Sequence, residues 1–196
     1  FLSQLKLNLV MSGIYLDEME RKKFCEKKHE YLIETTQFNG NVNIFENEKN
    51  VKLLFKNCVK DMYYVLRSSN NLKTKDRNNY SLNKDDNSDN PILYSKLFVN
   101  NINLINNDGI YTNYVIPYER YKSTPSDGVN IINFCLDNIN YQPSGALNFS
   151  MYDNIYIKIS INEGYLINVN KKLLIFANSY NILRIMGGQS GLTYME

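Results

Sequence analysis

The chain has 196 residues and a formal net charge of +2; 43% of the residues are hydrophobic and 13% aromatic, with 16 Tyr, 9 Phe and no Trp. That supports one sizeable core and excludes a disordered chain. The small net charge excludes the strong field by which a basic domain gathers nucleic acid or acidic membrane, and no apolar run is long enough to span a bilayer as a helix.

In chain order, Leu5, Leu7 and Leu9 alternate with Gln4, Lys6 and Asn8, a period of two that predicts a strand with one buried face. Asp17 is placed to cap a helix, with Glu20 completing a capping box, and the helical run is Glu18–Glu30. Further strands are predicted at Val51–Phe55, Met62–Leu66, Ile92–Val99, Ile110–Ile116, Val129–Phe134, Tyr165–Val169 and Leu173–Ala177. Ile155, Ile157, Ile159 and Ile161 alternate with Tyr156, Lys158 and Ser160 and give one more. Turn signals separate them at Asn39-Gly40, Asp108-Gly109, Asp127-Gly128, Ser144-Gly145 and Glu163-Gly164. Ser68–Asn90 is almost all Ser, Asn, Asp, Lys and Arg, and reads as a long exposed loop. Short strands, regular turns and little helix describe an all-β sandwich or barrel. Asn, Ile, Lys and Tyr are all abundant, which reads as the coding bias of an AT-rich genome.

Each chemical motif has a plainer reading. Cys25, Cys58 and Cys135 are odd in number and scattered, with no CxxC pair, which argues against a zinc site and fits a reducing compartment. His29, the only histidine, could meet Cys25 four residues earlier, but on a highly charged helix with no oxyanion site. Arg21, Lys22, Lys23, Lys27 and Lys28 interleave with Glu18, Glu20, Glu26 and Glu30, the pattern of a solvated helix face. Asp85-Asp86-Asn87-Ser88-Asp89 lacks the glycine and terminal Glu of a calcium loop. Gly187-Gly188-Gln189-Ser190-Gly191 lacks the Lys-Ser/Thr of a phosphate loop and reads as backbone relaxed by positive φ. Asn79-Tyr80-Ser81 and Asn148-Phe149-Ser150 match the glycosylation sequon and read as chance matches. No catalytic, cofactor-binding or metal-binding residue is assigned, and the expectation is a protein that is not an enzyme.

Several runs carry a resemblance. They are Ile14-Tyr-Leu-Asp-Glu-Met-Glu-Arg-Lys-Lys-Phe24, His29-Glu-Tyr-Leu-Ile-Glu34 with Gln37-Phe38, Val51–Phe55, Val59–Val65, Tyr141–Ser150, Arg184-Ile-Met186 and Gly191-Leu192. Together they resemble the major capsid proteins of nucleocytoplasmic large DNA viruses, the double jelly-roll family. The chain departs from that pattern at Tyr63-Tyr64, where the family often has Trp. It departs again at Met151-Tyr152-Asp153, which keeps only the Asp, at Gln189 and Ser190 in the closing motif, and in the loop 68–90.

The resemblance implies an eight-stranded antiparallel jelly-roll sandwich, the second barrel of a double jelly roll, with a short connecting helix. Residues 1–16 would hold the last strand or strands of the first jelly roll, 17–30 the connector helix and 31–196 the C-terminal jelly roll. The chain opens on Phe1 rather than Met and reads as a piece of a longer product. The implied function is structural: trimeric, pseudo-hexagonal capsomers of an icosahedral capsid. The implied partners are the protein itself as a homotrimer, neighbouring capsomers and minor capsid proteins. Direct nucleic-acid contact, membrane insertion and a cofactor are not expected. The implied location is the virion capsid, after assembly in the host cytoplasm. The rival reading is a jelly-roll carbohydrate-binding or attachment protein, in which exposed Tyr, Asn and Asp stack on and hydrogen-bond sugars. A cupin-type enzyme would need several histidine ligands, and His29 stands alone.

Overall fold

The computed structural model describes residue 6 and residues 8–68, 78–81, 89–162 and 171–194. It divides into a larger unit, Leu32–Asn181 with the residues from Tyr194, and a smaller one, the N-terminal segment to Tyr31 with Ile182–Thr193.

Among the described residues the strands are β1 (His29–Ile44), β2 (Glu48–Lys52), β3 (Cys58–Ser68), β4 (Ile92–Val99), β5 (Ile102–Asp108), β6 (Val129–Asn133), β7 (Leu147–Asn148), β8 (Ile155–Ile161), β9 (Lys171–Met186) and β10 (Gln189–Leu192). One sheet has the order β1-β9-β3-β6, the other β2-β8-β4-β5. The chain passes repeatedly between the sheets, with β4 and β5 staying in one, and strands early and late in the chain become neighbours. That is the jelly-roll connectivity, with eight principal strands, β7 as a short addition to β3 and β10 as a short addition to β9.

The core forms where the two inner faces meet. Ile155, Ile157, Ile159 and Ile161 of β8 are all buried, as their alternation predicts. They pack with Leu97 of β4 and, from the other sheet, Met62, Tyr64 and Leu66 of β3 and Leu173, Ile175 and Ala177 of β9. The register sets these residues side by side: Met62 pairs with Ala177, Tyr64 with Ile175 and Leu97 with Ile157. Tyr64 is fully buried; its hydroxyl donates to Ser95 Oγ at 2.8 Å, and burial pushes its pKa up to about 12.

Ile92–Val99 forms β4, while Met62–Leu66 and Leu173–Ala177 form the middles of β3 and β9. Val51–Phe55 is only partly strand: β2 ends at Lys52, although Leu53 and Phe55 stay buried. Ile110–Ile116 is not a strand. It forms a π-helical turn, Tyr111–Val115, leading into helix α2, Ile116–Tyr121. The physical reason is polar: Asp108 Oδ1 accepts the Tyr111 N–H at 2.7 Å, and buried Thr112 donates its hydroxyl to Asn130 Oδ1 at 2.8 Å. Burial there falls on Thr112, Asn113 and Ile116, whereas Ile110, Tyr111 and Tyr114 stay exposed. The Asn39-Gly40 turn signal lies inside β1. Leu5 and Leu7, Tyr165–Val169 and Glu163-Gly164 lie outside the described residues; Leu9 is exposed, and residues 8–17 adopt no regular structure.

In the smaller unit, helix α1 runs Glu18–Glu26, with Asp17 Oδ1 accepting the Glu20 N–H at 2.7 Å. It stops short of Glu30 because Lys27 is extended and β1 begins at His29. No residue of α1 is buried, and Lys22 meets Glu26 at 3.7 Å, as a solvated face requires. Gly187 and Gly188, with φ of +60° and +76°, join β9 to β10 by a tight turn with Met186 opposite Gln189.

Most of the stretch 68–90 lies outside the described residues. Its described part departs from an exposed loop, because Ser68, Asn79 and Ser81 are buried. Asn79 Oδ1 accepts from the Ser81 N–H and hydroxyl at 2.9 and 2.6 Å. Tyr80 packs its backbone on Gly128, where φ is +86° and an added Cβ would lie 2.1 Å from the Tyr80 carbonyl oxygen. Gly128→Ala is therefore expected to cost about 1–3 kcal/mol, from left-handed strain and the clash together. A thermal melt unchanged by this substitution would show that the Tyr80 segment does not seat there.

Candidate functional site

Among the described residues the sequence candidates do not assemble into a reacting centre. Cys25 is exposed on α1. His29 stacks on Phe24, with centroids 4.8 Å apart, and on Tyr31 at 6.4 Å, so its ring is used in packing. Of Asp85–Asp89 only Asp89 is described. Among the described residues no group of three or more His, Cys, Asp or Glu side chains is placed to hold a metal ion. The Asn148 side chain accepts the Ser150 N–H at 3.1 Å, capping the 3-10 turn Phe149–Met151. Ser150 Oγ in turn accepts the Asn57 N–H at 2.8 Å.

The strongest polar constellation was not visible in the sequence. It sits on the side of β3 opposite the core. Val59 and Asp61 flank a register irregularity against β9, and Asp61 is 1% exposed. Its carboxylate accepts from Tyr121 OH at 2.7 Å, Asn138 Nδ2 at 2.8 Å and Asn178 Nδ2 at 2.9 Å. Tyr121 oxygen also pairs with Tyr63 OH at 2.6 Å and accepts Asn138 Nδ2 at 2.6 Å. Neighbouring Lys60 is buried and donates to Glu34 Oε1 at 2.6 Å and to the Asn138 carbonyl at 3.2 Å.

Burial dominates the electrostatics. It raises the Asp61 pKa above the usual carboxylate value, against the lowering effect of its three donors and Lys60. Burial and the Asp61 charge likewise raise the Tyr63 and Tyr121 phenols. Burial works to lower the Lys60 pKa, but the Glu34 hydrogen bond and charge leave it raised.

The cluster anchors the connection after β6. Asn138 belongs to that connection, and Arg120 of α2 donates to its Leu136 carbonyl at 2.8 Å. The same connection presents Leu136 at 73%, Ile139 at 55% and Tyr141 at 100% exposure. A segment held by buried polar contacts and tipped with large apolar groups is suited to protein contact.

Fold and surfaces together define a jelly-roll β-protein whose conspicuous features are surfaces. Residues 20–191 match the family described as large eukaryotic DNA virus major capsid protein. The chain is 29% identical over 198 residues to "Probable capsid protein 4" of Acanthamoeba polyphaga mimivirus, covering 95% of this chain and 38% of that protein. It is 28% identical over 210 residues to the major capsid protein of Pyramimonas orientalis virus, covering 95% of this chain and 48% of that one. Among solved structures it resembles the PBCV-1 virus capsid, with a TM-score of 0.75 at 23% identity, covering 93% of this chain and 55% of that chain. The Faustovirus major capsid protein gives 0.68 at 15% identity, covering 87% and 36%. The chain belongs to the major capsid protein family of large eukaryotic DNA viruses. It spans less than half the length of these two curated relatives.

The Asp61 cluster has a defined pH signature. The folded pKa lies above the unfolded one, so the contribution of this group to stability is fully present below the unfolded pKa, near 4, and is lost as pH rises through the folded pKa. Asp61→Asn removes that titration. Its melting temperature relative to the parent is expected to improve between pH 4 and pH 7; a pH-independent difference would contradict the burial of this charge. Asp61→Ala, which leaves Tyr121, Asn138 and Asn178 without their acceptor, is expected to cost about 3 kcal/mol at pH 4 and less at pH 7, where the parent has already lost the contribution of this group.

Proposed function

We propose that this chain is part of the shell-forming subunit of an icosahedral large DNA virus. In this reading residues 31–196 form the second barrel of a double jelly roll, 17–30 connect the barrels, and 1–16 complete the first. Three subunits close into a pseudo-hexagonal capsomer, and capsomers meet each other and minor capsid proteins in the virion shell. Assembly takes place in the host cytoplasm. The observation that carries the reading is the family match over residues 20–191, on a chain whose strand order is that of a jelly roll.

The physics agrees. A shell subunit needs a saturated interior and broad sides that bury many modest contacts repeated by symmetry. The interior is saturated by the two-sheet core, and large apolar side chains such as Leu136, Tyr141 and Met151 are left outside it. A net charge of +2 keeps repulsion between repeated copies small. The subunit acts by geometry, and no catalytic step is assigned to it.

Purified virions supply the test. The product containing this sequence is expected to exceed twice 22.9 kDa by intact mass, and capsomers released gently are expected to weigh three subunits on a native mass spectrometer. A natural product near 22.9 kDa that is absent from virions would overturn the shell role.

A further inference from the structure

The outer face of the second sheet is sorted by chemistry into three rows that cross its strands. Leu97, Val99, Ile155, Ile157 and Ile159 fill the core, so the alternate residues of β4 and β8 lie on the other side. The middle row is Asn50, Lys158, Lys96 and Asn106, one residue from each of β2, β8, β4 and β5. On one side of it run Lys52, Tyr156, Phe98 and Asn103. On the other run Glu48, Ser160, Tyr94 and Asp108.

The middle row carries a physical cost. Lys96 and Lys158 are directly opposed on neighbouring strands, an arrangement that destabilises a sheet. The cost is only partly relieved. Lys158 Nζ reaches Glu48 Oε2 at 2.7 Å, and Glu48 also accepts from Tyr94 OH. The Lys96 ammonium lies 5.2 Å from the Tyr94 ring centroid. Among the described residues neither Lys96 nor Lys52 has a carboxylate within ion-pair distance. Beside the lysines, Phe98 and Tyr156 stack at 4.8 Å and 8°, an apolar ridge along one flank.

We propose that this face binds an acidic glycan, a chain of sugars bearing carboxylate groups. The carboxylates meet Lys96 and Lys158, the hydroxyls meet the amides of Asn50, Asn103 and Asn106, and the apolar sugar edges lie along the Phe98–Tyr156 ridge. Charge complementarity selects an anion, and the amides narrow the class. An Asn side chain both donates and accepts, which matches a hydroxyl. An extended peptide would instead need backbone partners, and the central strands β4 and β8 have theirs in use.

The test uses the protein in its natural full length, with hexagalacturonate as ligand, its uncharged methyl ester and hexaglutamate as controls, and binding read by calorimetry at low salt. Hexagalacturonate is expected to bind and both controls to bind at least about tenfold more weakly. Lys96→Gln is expected to weaken binding about tenfold while melting at the same temperature or higher, because it removes the opposed charge. Tyr156→Ala is expected to weaken binding without abolishing it. Equal binding of hexaglutamate would reduce the face to a simple charge patch and overturn the proposal. Undiminished binding by Lys96→Gln, or no binding of hexagalacturonate by the parent, would also overturn it.

Discussion

A sandwich that passes its chain repeatedly between two sheets must break the backbone ladder at every crossing, and each freed N–H or C=O has to find another partner. The rest of this fold depends on how that is done, which is by side-chain amides. Gln37 of β1 behaves as a surrogate backbone unit, donating to the Lys56 carbonyl at 2.8 Å and accepting its N–H at 2.9 Å. Asn39 repeats the device, donating to the Lys52 carbonyl at 3.0 Å and accepting the Leu54 N–H at 2.7 Å. The stretch from β2 to β3 is thereby clipped to β1, which is why Leu53 and Phe55 stay buried outside any strand. Asn90 serves β4 in the same way, and Asn113 holds the entry to β6. Asn57, Asn100 and Asn101 also take left-handed backbone, which Asn tolerates better than most residues. The abundance of asparagine is thus structural chemistry, whatever the coding bias behind it.

This explains what was legible in the sequence and what was not. Strands buried on an inner face announced themselves: the isoleucines of β8 and the run Ile92–Val99 need only period two and β-branching. β1 was hidden because its pairing residues are Gln37, Asn39 and Gly40, which read as a turn until their partners at 52–56 are known. β5 was hidden because Ile102–Asp108 lies at a sheet edge and is largely exposed, so no alternation marks it. Ile110–Ile116 misled in the opposite direction. Its β-branched and aromatic residues look like a strand, yet Asp108 and Thr112 hydrogen-bond locally and win the segment for a helical turn. The Asp61 cluster was invisible because its members come from β1, β3, β9, α2 and the connection after β6, with no spacing to link them.

The two sheets also finish their outer faces differently. Beyond the first sheet, Asp61, Tyr63 and Asn178 are covered by Tyr121 and Asn138, whose hydrogen bonds add to the burial of the apolar groups Ile116, Pro117 and Ile131. Buried polar contacts of this kind specify one arrangement better than apolar packing does, because a slipped register would orphan several donors at once. The exposed Leu136, Ile139 and Tyr141 are therefore displayed on a segment with a fixed geometry.

Beyond the second sheet no such covering segment is described, and the residues there are arranged for something other than stability. A sheet face under selection for stability alone would alternate its charges across neighbouring strands, and Glu48 beside Lys158 shows that this chain can do so. Placing Lys96 against Lys158 in the middle of the same face gives up that gain. Glu48 and the Tyr94 ring recover part of that loss within the fold, and a bound anion would recover more. One sheet of the jelly roll is thus closed by its own chain, and the other is left with an electrostatic debt that a ligand can settle.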